Sequence, residues 1–421
     1  MRILVIGSGG REHAIIRKLK ESPKVDKIYA APGNGGIAKD ATCVDIGVMD
    51  KEKIVAFSKE NAIDLVFVAP DDPLAAGMVD TLIANGIRAF GPRANAAIIE
   101  SSKVFSKNLM KKYHIPTADY EVFDDPAKAI AYIEERNKYP VVIKADGLAL
   151  GKGVIIAQTQ KEARDAVKEI MEDKKFGDSG NNVVVEEFLT GPEVSVLAFT
   201  DGMVLEPMVS SKDHKRAYDN DEGLNTGGMG TISPNPYYTP EIAEICRKTI
   251  FEPTVAAMNS ENRTFKGCLY FGLMITPDGP KVIEYNARFG DPEAQVVLPR
   301  LKTDLVDILE AVIDERLSQL TIEWKEEATA CVVMASGGYP LAYEKGKEIT
   351  GLDEDGQLPS VEIFHAGTKL ESGRFFTNGG RVLGVTAEAK TLDEALDKAY
   401  AAVKKISFEG AHYRTDIGRT K

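Results

Sequence analysis

The strongest constraint on the fold is a pattern repeated in the first 92 residues. Short apolar runs, at residues 2–6, Lys27–Ala31, Asp64–Val68 and Arg88–Phe90, each pass into a turn-forming cluster. The clusters are Gly7-Ser8-Gly9-Gly10, Pro32-Gly33-Asn34-Gly35-Gly36, Ala69-Pro70-Asp71-Asp72-Pro73 and Gly91-Pro92. Helical stretches, the first near Arg11–Lys20, fill the intervals. Strands that alternate with helices predict βαβ units and a parallel sheet. The turn clusters then gather at the carboxyl ends of the strands, where open α/β sheets bind ligands.

The pattern changes after Ile115-Pro116-Thr117. Val141–Lys144 and Val154–Ala157 flank a glycine-rich turn and predict an antiparallel hairpin. A helix near Lys161–Glu172 and a strand over Asn182–Glu186 follow. The polar segment Ser210–Pro236 has many glycines and no strong period, and it is too long for an ordinary connection, so a functional loop is expected. Strands at Cys268–Ile275 and Lys281–Tyr285 and a helix near Asp304–Leu317 come next. From about Thr329 a further α+β unit begins, with strands near Ala330–Ala335, Val361–His365 and Arg381–Thr386. Three domains are expected: 1–101, 102–325 with a mobile lid over 120–190, and 326–421. The 421 residues fit that number.

Composition excludes several partners. A net charge of −12 without a basic cluster disfavours nucleic acid and anionic membranes. No run approaches 18 apolar residues, so no membrane helix is expected. The opening Met1–Gly7 is too short an apolar run for a signal peptide. The four cysteines, Cys43, Cys246, Cys268 and Cys331, form no CxxC pair and are expected to be buried free thiols. A cytoplasmic protein is the reading.

Four segments carry chemistry. In Gly7-Ser8-Gly9-Gly10-Arg11-Glu12 the sixth place of a dinucleotide fingerprint is Glu12, and Ala31-Pro32 stands where the second strand would end in an acid. NAD is therefore disfavoured. Backbone amides at a helix N-terminus beside Arg11 suit a single phosphate instead; the bland alternative is a tight turn without a ligand. The run Lys144–Gly153 is not a Walker loop, since Gly153 stands where Ser or Thr belongs and a strand follows. A glycine-rich flap between antiparallel strands can fold down on a nucleotide, with Lys144 on the strand and Lys152 on the flap. Alternatively it is a flexible surface hairpin.

Asn182–Leu189 reads as a strand entering a bend whose backbone groups can pair with an adenine edge, with Glu193 able to take ribose hydroxyls. Equally, it is an exposed strand end. In Lys281–Pro292, residues two apart on a strand share a side, so Glu284 and Asn286 project together while Ile283 and Tyr285 face the other way. A carboxylate beside an amide oxygen suits Mg²⁺ that also takes phosphate oxygens. Arg288 could hold a carboxylate or phosphate. A polar outward strand face is the bland reading.

Taken together, these segments resemble the ATP-grasp superfamily, and within it the phosphoribosylamine–glycine ligase family nearly end to end. The match runs from Ile6-Gly7 to His13 and through Ala31–Asn34 and Phe90–Pro92. It continues at Asp213–Arg216, Asn225–Gly230 and Phe289–Glu293, and ends with Phe364–Thr368, Thr377–Gly384 and Tyr413–Gly418. Departures are Ala69, Asp71 and Asp72 for the family's Gly-Pro-Glu-Ala, Ser211-Lys212 for Ala-Gln, and Leu224 for Pro. Like the family, the chain has Leu273 where many ATP-grasp enzymes place a metal-binding glutamate.

The resemblance implies an N-terminal parallel α/β domain, a central ATP-grasp fold and a C-terminal α+β domain. It implies ligation of glycine to 5-phosphoribosylamine through a glycyl phosphate, with ATP and Mg²⁺ or Mn²⁺, by a monomer. ATP would be held by Lys103, Lys144, Gly151, Lys152, Gly153, Glu186, Glu187, Phe188, Leu189 and Glu193, and the metal by Glu284 and Asn286. Asp213, Arg288 and Asp291 would act on glycine and the reacting groups. Gly9, Gly10, Arg11, Glu12, Asn34 and Lys215 would bind substrate. The alternatives are another ATP-grasp ligase or a biotin-carboxylase-like carboxylase, and a nucleotide-binding relative without catalysis.

Overall fold

The computed structural model describes residues 1–148 and 153–419. Gly151 and Lys152 lie outside the described residues. The first sheet has strands β1 (Arg2–Gly7), β2 (Lys27–Pro32), β3 (Thr42–Cys43), β4 (Leu65–Val68) and β5 (Ala89–Phe90), all parallel in the order β3-β2-β1-β4-β5. Ile3–Ile6 and Leu65–Phe67 are fully or almost fully buried, because helices cover both faces of such a sheet. Strand order reverses beside β1, so its terminal glycines and the helix Gly10–Lys20 stand where such sheets bind ligands. Cys43 departs from the expected burial: it is exposed on the edge strand β3, while Cys246, Cys268 and Cys331 are buried.

The second sheet contains β6 (Tyr120–Phe123), β7 (Val141–Ala145), β8 (Val154–Ala157) and β9 (Val183–Glu187), ordered β6-β9-β7-β8. The β7–β8 pairing is the antiparallel hairpin expected from sequence. Helices Pro126–Arg136 and Gln160–Val167 cover one face around Ala129, Ile133, Ile143 and Val183. The expected helix Lys161–Glu172 changes at Lys168 into a wider turn over Lys168–Glu172.

The chain leaves β9 through a bend at Gly191 and enters the third sheet. There a Cβ would lie 2.1 Å from the Ile275 carbonyl oxygen, at φ +144°, so a side chain would push apart the strands that this corner joins. The sheet comprises β10 (Glu193–Thr200) and β11 (Leu205–Pro207), followed in the chain by β12 (Lys212–Asp213), β13 (Arg216–Tyr218), β14 (Glu222–Asn225) and β15 (Gly230–Ser233), which go elsewhere. It is completed by β16 (Gly267–Thr276) and β17 (Gly279–Asn286), in the order β11-β10-β16-β17.

The last part of the chain adds β18 (Ala328–Ala335), β19 (Glu348–Ile349), β20 (Glu362–His365), β21 (Thr368–Glu371), β22 (Arg374–Thr377) and β23 (Arg381–Ala389). A three-stranded sheet runs β19-β22-β21, and a five-stranded one runs β12-β15-β18-β23-β20. Two strands of the latter come from Ser210–Pro236, which the sequence suggested was an irregular loop. They are two and four residues long, so no period of two develops, and β13–β14 is a separate hairpin.

Buried polar contacts fasten the first and last domains. The Asn34 amide nitrogen donates to the carbonyls of Ser8 (2.9 Å) and His365 (2.7 Å), and its oxygen accepts from Gly36 and Ile37. His13 Nδ1 accepts from the His365 backbone N–H at 2.8 Å, so its Nε2 carries the proton and donates to Asp40 at 2.9 Å. Burial lowers the pKa of His13, that of His214 to about 4 and that of His365 to about 3.

These histidines fold neutral but are protonated when unfolded below an ordinary histidine pKa of about 6.5. Their contribution to stability is present above that pH and is lost as pH falls towards the folded values. Urea midpoints are therefore expected to drop between pH 7 and pH 5. A His214→Gln/His365→Gln variant should be less stable at pH 7 yet show a smaller pH-dependent drop; an undiminished drop would refute the histidine origin.

Candidate active site

Glu284 and Asn286 lie on β17, half-buried on one side, with Tyr285 buried on the other. Their arrangement does not come from simple alternation. The pairing of β16 and β17 shifts between Gly272 and Leu273, where Glu284 faces Gly272 and Val282 faces Leu273, leaving Ile283 as the extra residue of a bulge. Val282 and Tyr285 consequently enter the core, whereas Ile283, expected beside Tyr285, does not. A bulge re-aims side chains, and here it places Glu284 among cations.

Lys215 Nζ is 3.3 Å from Glu284 Oε1. Attraction to Lys215, opposed by burial and reinforced by Lys144 and Lys103, holds the Glu284 carboxyl down at about 2. Lys215 is in turn shifted up, by Glu284 first, with Glu193 and Asp213 adding to it. Lys103 Nζ donates to the Gly147 carbonyl at 2.8 Å, at the base of the glycine-rich turn. Lys144 Nζ donates to Ile283 O at 3.1 Å and pairs with Glu186 Oε2 at 3.0 Å. Three ammonium groups thus act on the Glu284 carboxylate, one of which, that of Lys144, is also paired with Glu186.

Of the hinge residues, Glu186 is buried and Glu187 exposed, the alternation of β9. Glu187 accepts from the Asp119 N–H at 3.3 Å. Phe188 and Leu189 follow the strand half-buried, Glu193 opens β10 exposed, and Gly153 immediately precedes β8.

Past β17, Arg288 is held on several sides. Its Nη2 lies 2.9 Å from Glu100 Oε1 and 3.3 Å from Asn286 Oδ1, and Nη1 donates to Phe289 O at 3.2 Å. Glu100 Oε2 accepts from the Ala287 N–H at 2.7 Å. Burial pushes the Glu100 carboxyl up against the pull of Arg288. Arg288 Nε is buried without a partner among the described residues, so the guanidinium retains a donor for a ligand.

Asp213 accepts from the His214 N–H at 2.7 Å, and burial followed by repulsion from Glu293 raises its pKa. Glu293 is likewise raised by burial; its Oε1 accepts from Tyr270 Oη at 3.1 Å. Asp291 Oδ2 accepts the Arg11 N–H at 3.2 Å, its Oδ1 accepts from Gln295 at 2.8 Å, and Arg381 donates to its carbonyl at 2.7 Å. Asp291 therefore sits at the N-terminus of the helix Gly10–Lys20, where the helix dipole favours an anion.

At the same turn Glu12 accepts from the Gly9 N–H and from Arg11 Nε, both at 2.6 Å. Arg11 Nη1 reaches Phe289 O at 3.2 Å, and Nη2 has no bond among the described residues. Gly10 is packed closely, since a Cβ there would lie 2.6 Å from Gln295 Nε2. The side chain of Asn34, by contrast, is wholly committed to the interdomain bonds given above.

Two groups thus form. Lys103, Lys144, Lys215, Glu284, Asn286 and Glu186 surround the meeting of the second and third sheets. Arg11, Asp291, Arg288 and Asp213 lie between the first domain and the last. Sequence reasoning missed Glu100, Lys107, Glu293 and Arg381. Glu293 and Arg381 stood within quoted motifs, and Lys107 is one helical turn beyond Lys103, on the same face.

Family models for phosphoribosylglycinamide synthetase match consecutive parts of the chain. The N domain matches residues 1–100, the ATP-grasp (A) domain 101–294 and the C domain 329–420. A phosphoribosylamine–glycine ligase of Halalkalibacterium halodurans is 51% identical over 99% of this chain and 96% of its own length. The chain belongs to the phosphoribosylglycinamide synthetase family. The crystal structure of phosphoribosylamine–glycine ligase from Thermotoga maritima superposes with TM-score 0.86 at 34% identity, over 99% of this chain and 100% of the other. A biotin carboxylase domain from Hydrogenobacter thermophilus superposes with TM-score 0.75 at 15% identity, over 98% and 91% of the two chains, a likeness of fold alone. Phosphoribosylglycinamide synthetase membership accounts for the expected architecture of parallel α/β, ATP-grasp and α+β domains.

The Glu100–Arg288 pair yields a prediction. Removing one partner of a buried pair leaves the other charge uncompensated, at a cost of about 3 kcal/mol. Glu100→Ala should lose roughly that in urea unfolding. Glu100→Gln should lose less, because its one amide oxygen can still accept. Equal losses would mean that charge at Glu100 is immaterial.

Proposed function

We infer that the chain is a phosphoribosylamine–glycine ligase, joining glycine to 5-phosphoribosylamine with ATP as phosphoryl donor in purine biosynthesis. The observation that carries this at the site is the convergence of Lys103, Lys144 and Lys215 on Glu284. It provides the charge that phosphoryl transfer to a carboxylate requires. Full-length identity to enzymes of that name supplies the substrates. A carboxylate is a poor acylating agent, so activation as an acyl phosphate precedes attack by the amine, which then expels phosphate instead of oxide.

In this reading Lys103, Lys144 and Lys152 neutralise the triphosphate, and Gly151 and Gly153 offer it backbone N–H groups. Glu186 offers a free acceptor, because its Oε1 is buried with no partner among the described residues. An amino group such as that on adenine C6 would satisfy it. Backbone groups of Glu187, Phe188 and Leu189 follow the base edge, and Glu193 takes the ribose. Arg288, fixed by Glu100, binds the glycine carboxylate through its spare Nε–H, and Asp213 takes the glycine ammonium. Arg11 and the Gly9–Gly10 turn hold the sugar phosphate, Glu12 orienting Arg11 and Asn34 bracing the loop. Asp291 ties that turn to Arg288. Closure of the flap would keep water from the acyl phosphate.

The donor set at β17 fits a hard divalent cation. Glu284 and Asn286 provide two oxygens, and no group of three or more His, Cys, Asp or Glu able to hold a metal occurs among the described residues. Mg²⁺, which keeps waters and takes phosphate oxygens, suits so small a set, and Mn²⁺ accepts the same donors. When bound, the ion would supply charge against the β- and γ-phosphates. No helix among the described residues is long and apolar enough to cross a membrane; we read the protein as a cytoplasmic monomer.

Two outcomes test this reading. Glu284→Ala should lower turnover by about 10²-fold or more, the effect of deleting one preorganised charge. Asn286→Ala should be milder, and Mg²⁺ titrations should shift in both variants. With glycine labelled with ¹⁸O in its carboxylate, the released phosphate should carry one labelled oxygen, since the oxygen that attacks phosphorus leaves with it. Unlabelled phosphate would refute the acyl phosphate.

A further inference from the structure

We propose that Lys107 is a positioning residue that fixes the Glu186 carboxylate as acceptor for the 6-amino group of adenine, and so sets the preference for ATP over 6-oxo purine triphosphates. The inference rests on the ATP reading above and adds to it a residue that touches neither base nor phosphate. Lys107 is 2% exposed and Glu186 4%. Lys107 Nζ donates to Thr117 Oγ1 at 2.7 Å and to the Ala118 carbonyl at 3.1 Å, and lies 3.5 Å from Glu186 Oε2. The Tyr120 ring covers it at 5.0 Å. Thr117 Oγ1 in turn donates a hydrogen bond to the Val282 carbonyl at 2.7 Å.

Lys144 contacts the next carbonyl along, that of Ile283, and the same oxygen of Glu186. The bonds therefore close a ring from Glu186 through Lys107, Thr117, Val282–Ile283 and Lys144 back to Glu186. Both cations meet Oε2, so Oε1 is left as the buried, unpartnered acceptor. An ionised carboxylate accepts and cannot donate. It matches the 6-amino group of adenine and repels the 6-oxygen of guanine.

Two lysines on one carboxylate have different prospects. Lys144 stands among the groups assigned to the phosphates, and when it turns to them it neutralises Glu186 less. Lys107 has its three protons directed at Thr117, Ala118 and Glu186, and remains in place. Burial first, opposed by Glu186, brings its pKa down to about 8, which still leaves it mostly charged at neutral pH. Without Lys107 nothing fixed holds Oε2, so Oε1 is no longer the one oxygen presented to the base, and the discrimination falls.

The test compares kcat/KM for ATP and GTP, at saturating glycine and phosphoribosylamine, in the wild type, Lys107→Gln and Lys107→Arg. Circular dichroism confirms folding. The wild type should prefer ATP by about 10²-fold or more, the scale at which a site built around a hydrogen bond rejects a mismatched group. Lys107→Gln should raise the KM for ATP about tenfold with kcat within about threefold, leave the KM for glycine unchanged, and cut the ATP/GTP ratio at least about tenfold. Lys107→Arg should restore the ratio.

A folded Lys107→Gln with the wild-type ratio overturns the inference, as does a wild type that uses GTP as well as ATP. If Lys107→Gln does not fold, the wild type decides with purine riboside triphosphate, which lacks the 6-amino group. A KM about tenfold above that for ATP supports the acceptor, and equal values overturn it. A wild type with no nucleotide-dependent turnover would instead sink the ATP reading itself.

Discussion

The second and third sheets share no strand, and a buried ammonium group bridges them. Lys144 leaves β7 of the second sheet, pairs with Glu186 on β9, and donates to the carbonyl of Ile283 on β17 of the third. A lysine is rarely so buried unless it is paired and hydrogen-bonded. Around this contact lie the metal-ligand candidates on one side and the base-edge candidates on the other. Its carbonyl partner belongs to the residue that bulges out of the β16–β17 pairing. The same irregularity that turns Glu284 towards three lysines thus also supplies an anchor for the second sheet.

The rest of the site depends on how the outer domains are held to this centre. Glu100, at the end of the first domain, clamps Arg288 and the Ala287 amide together. Asp291 reaches the first turn of the helix Gly10–Lys20, and Arg381 of the last domain bonds the Asp291 carbonyl. Side chains from three parts of the chain therefore fix one short segment, Ala287–Asp291. Such support keeps the Arg288 guanidinium in a narrow range of positions.

The likeness to a biotin carboxylase domain at 15% identity is one of fold alone. Arg11, Asn34, Asp213 and Asp291 stand between the first domain and the last, and the family assignment rests on matches that span all three domains.

By itself the sequence determined the kinds of elements and the family to which the chain belongs. Alternating strands and turn clusters declared the parallel sheet, since short buried strands ending in Gly and Pro have few other uses. The flap hairpin and the Glu284/Asn286 pair were legible because their signals are local, within a dozen residues. Only tertiary structure decided the remainder. The bulge at Ile283 comes from pairing with β16 and has no signature in β17 alone. Ser210–Pro236 gave no period because its strands are short and join a sheet built mainly from residues a hundred positions later. Lys107 looked like any lysine on a surface helix until Thr117, Ala118 and Glu186 closed around it. Asn34, read as a ligand residue, proved to have every side-chain bond taken within the protein, because the last domain packs against its loop. Contacts between residues far apart in the chain are set by packing, and packing is what a local pattern cannot encode.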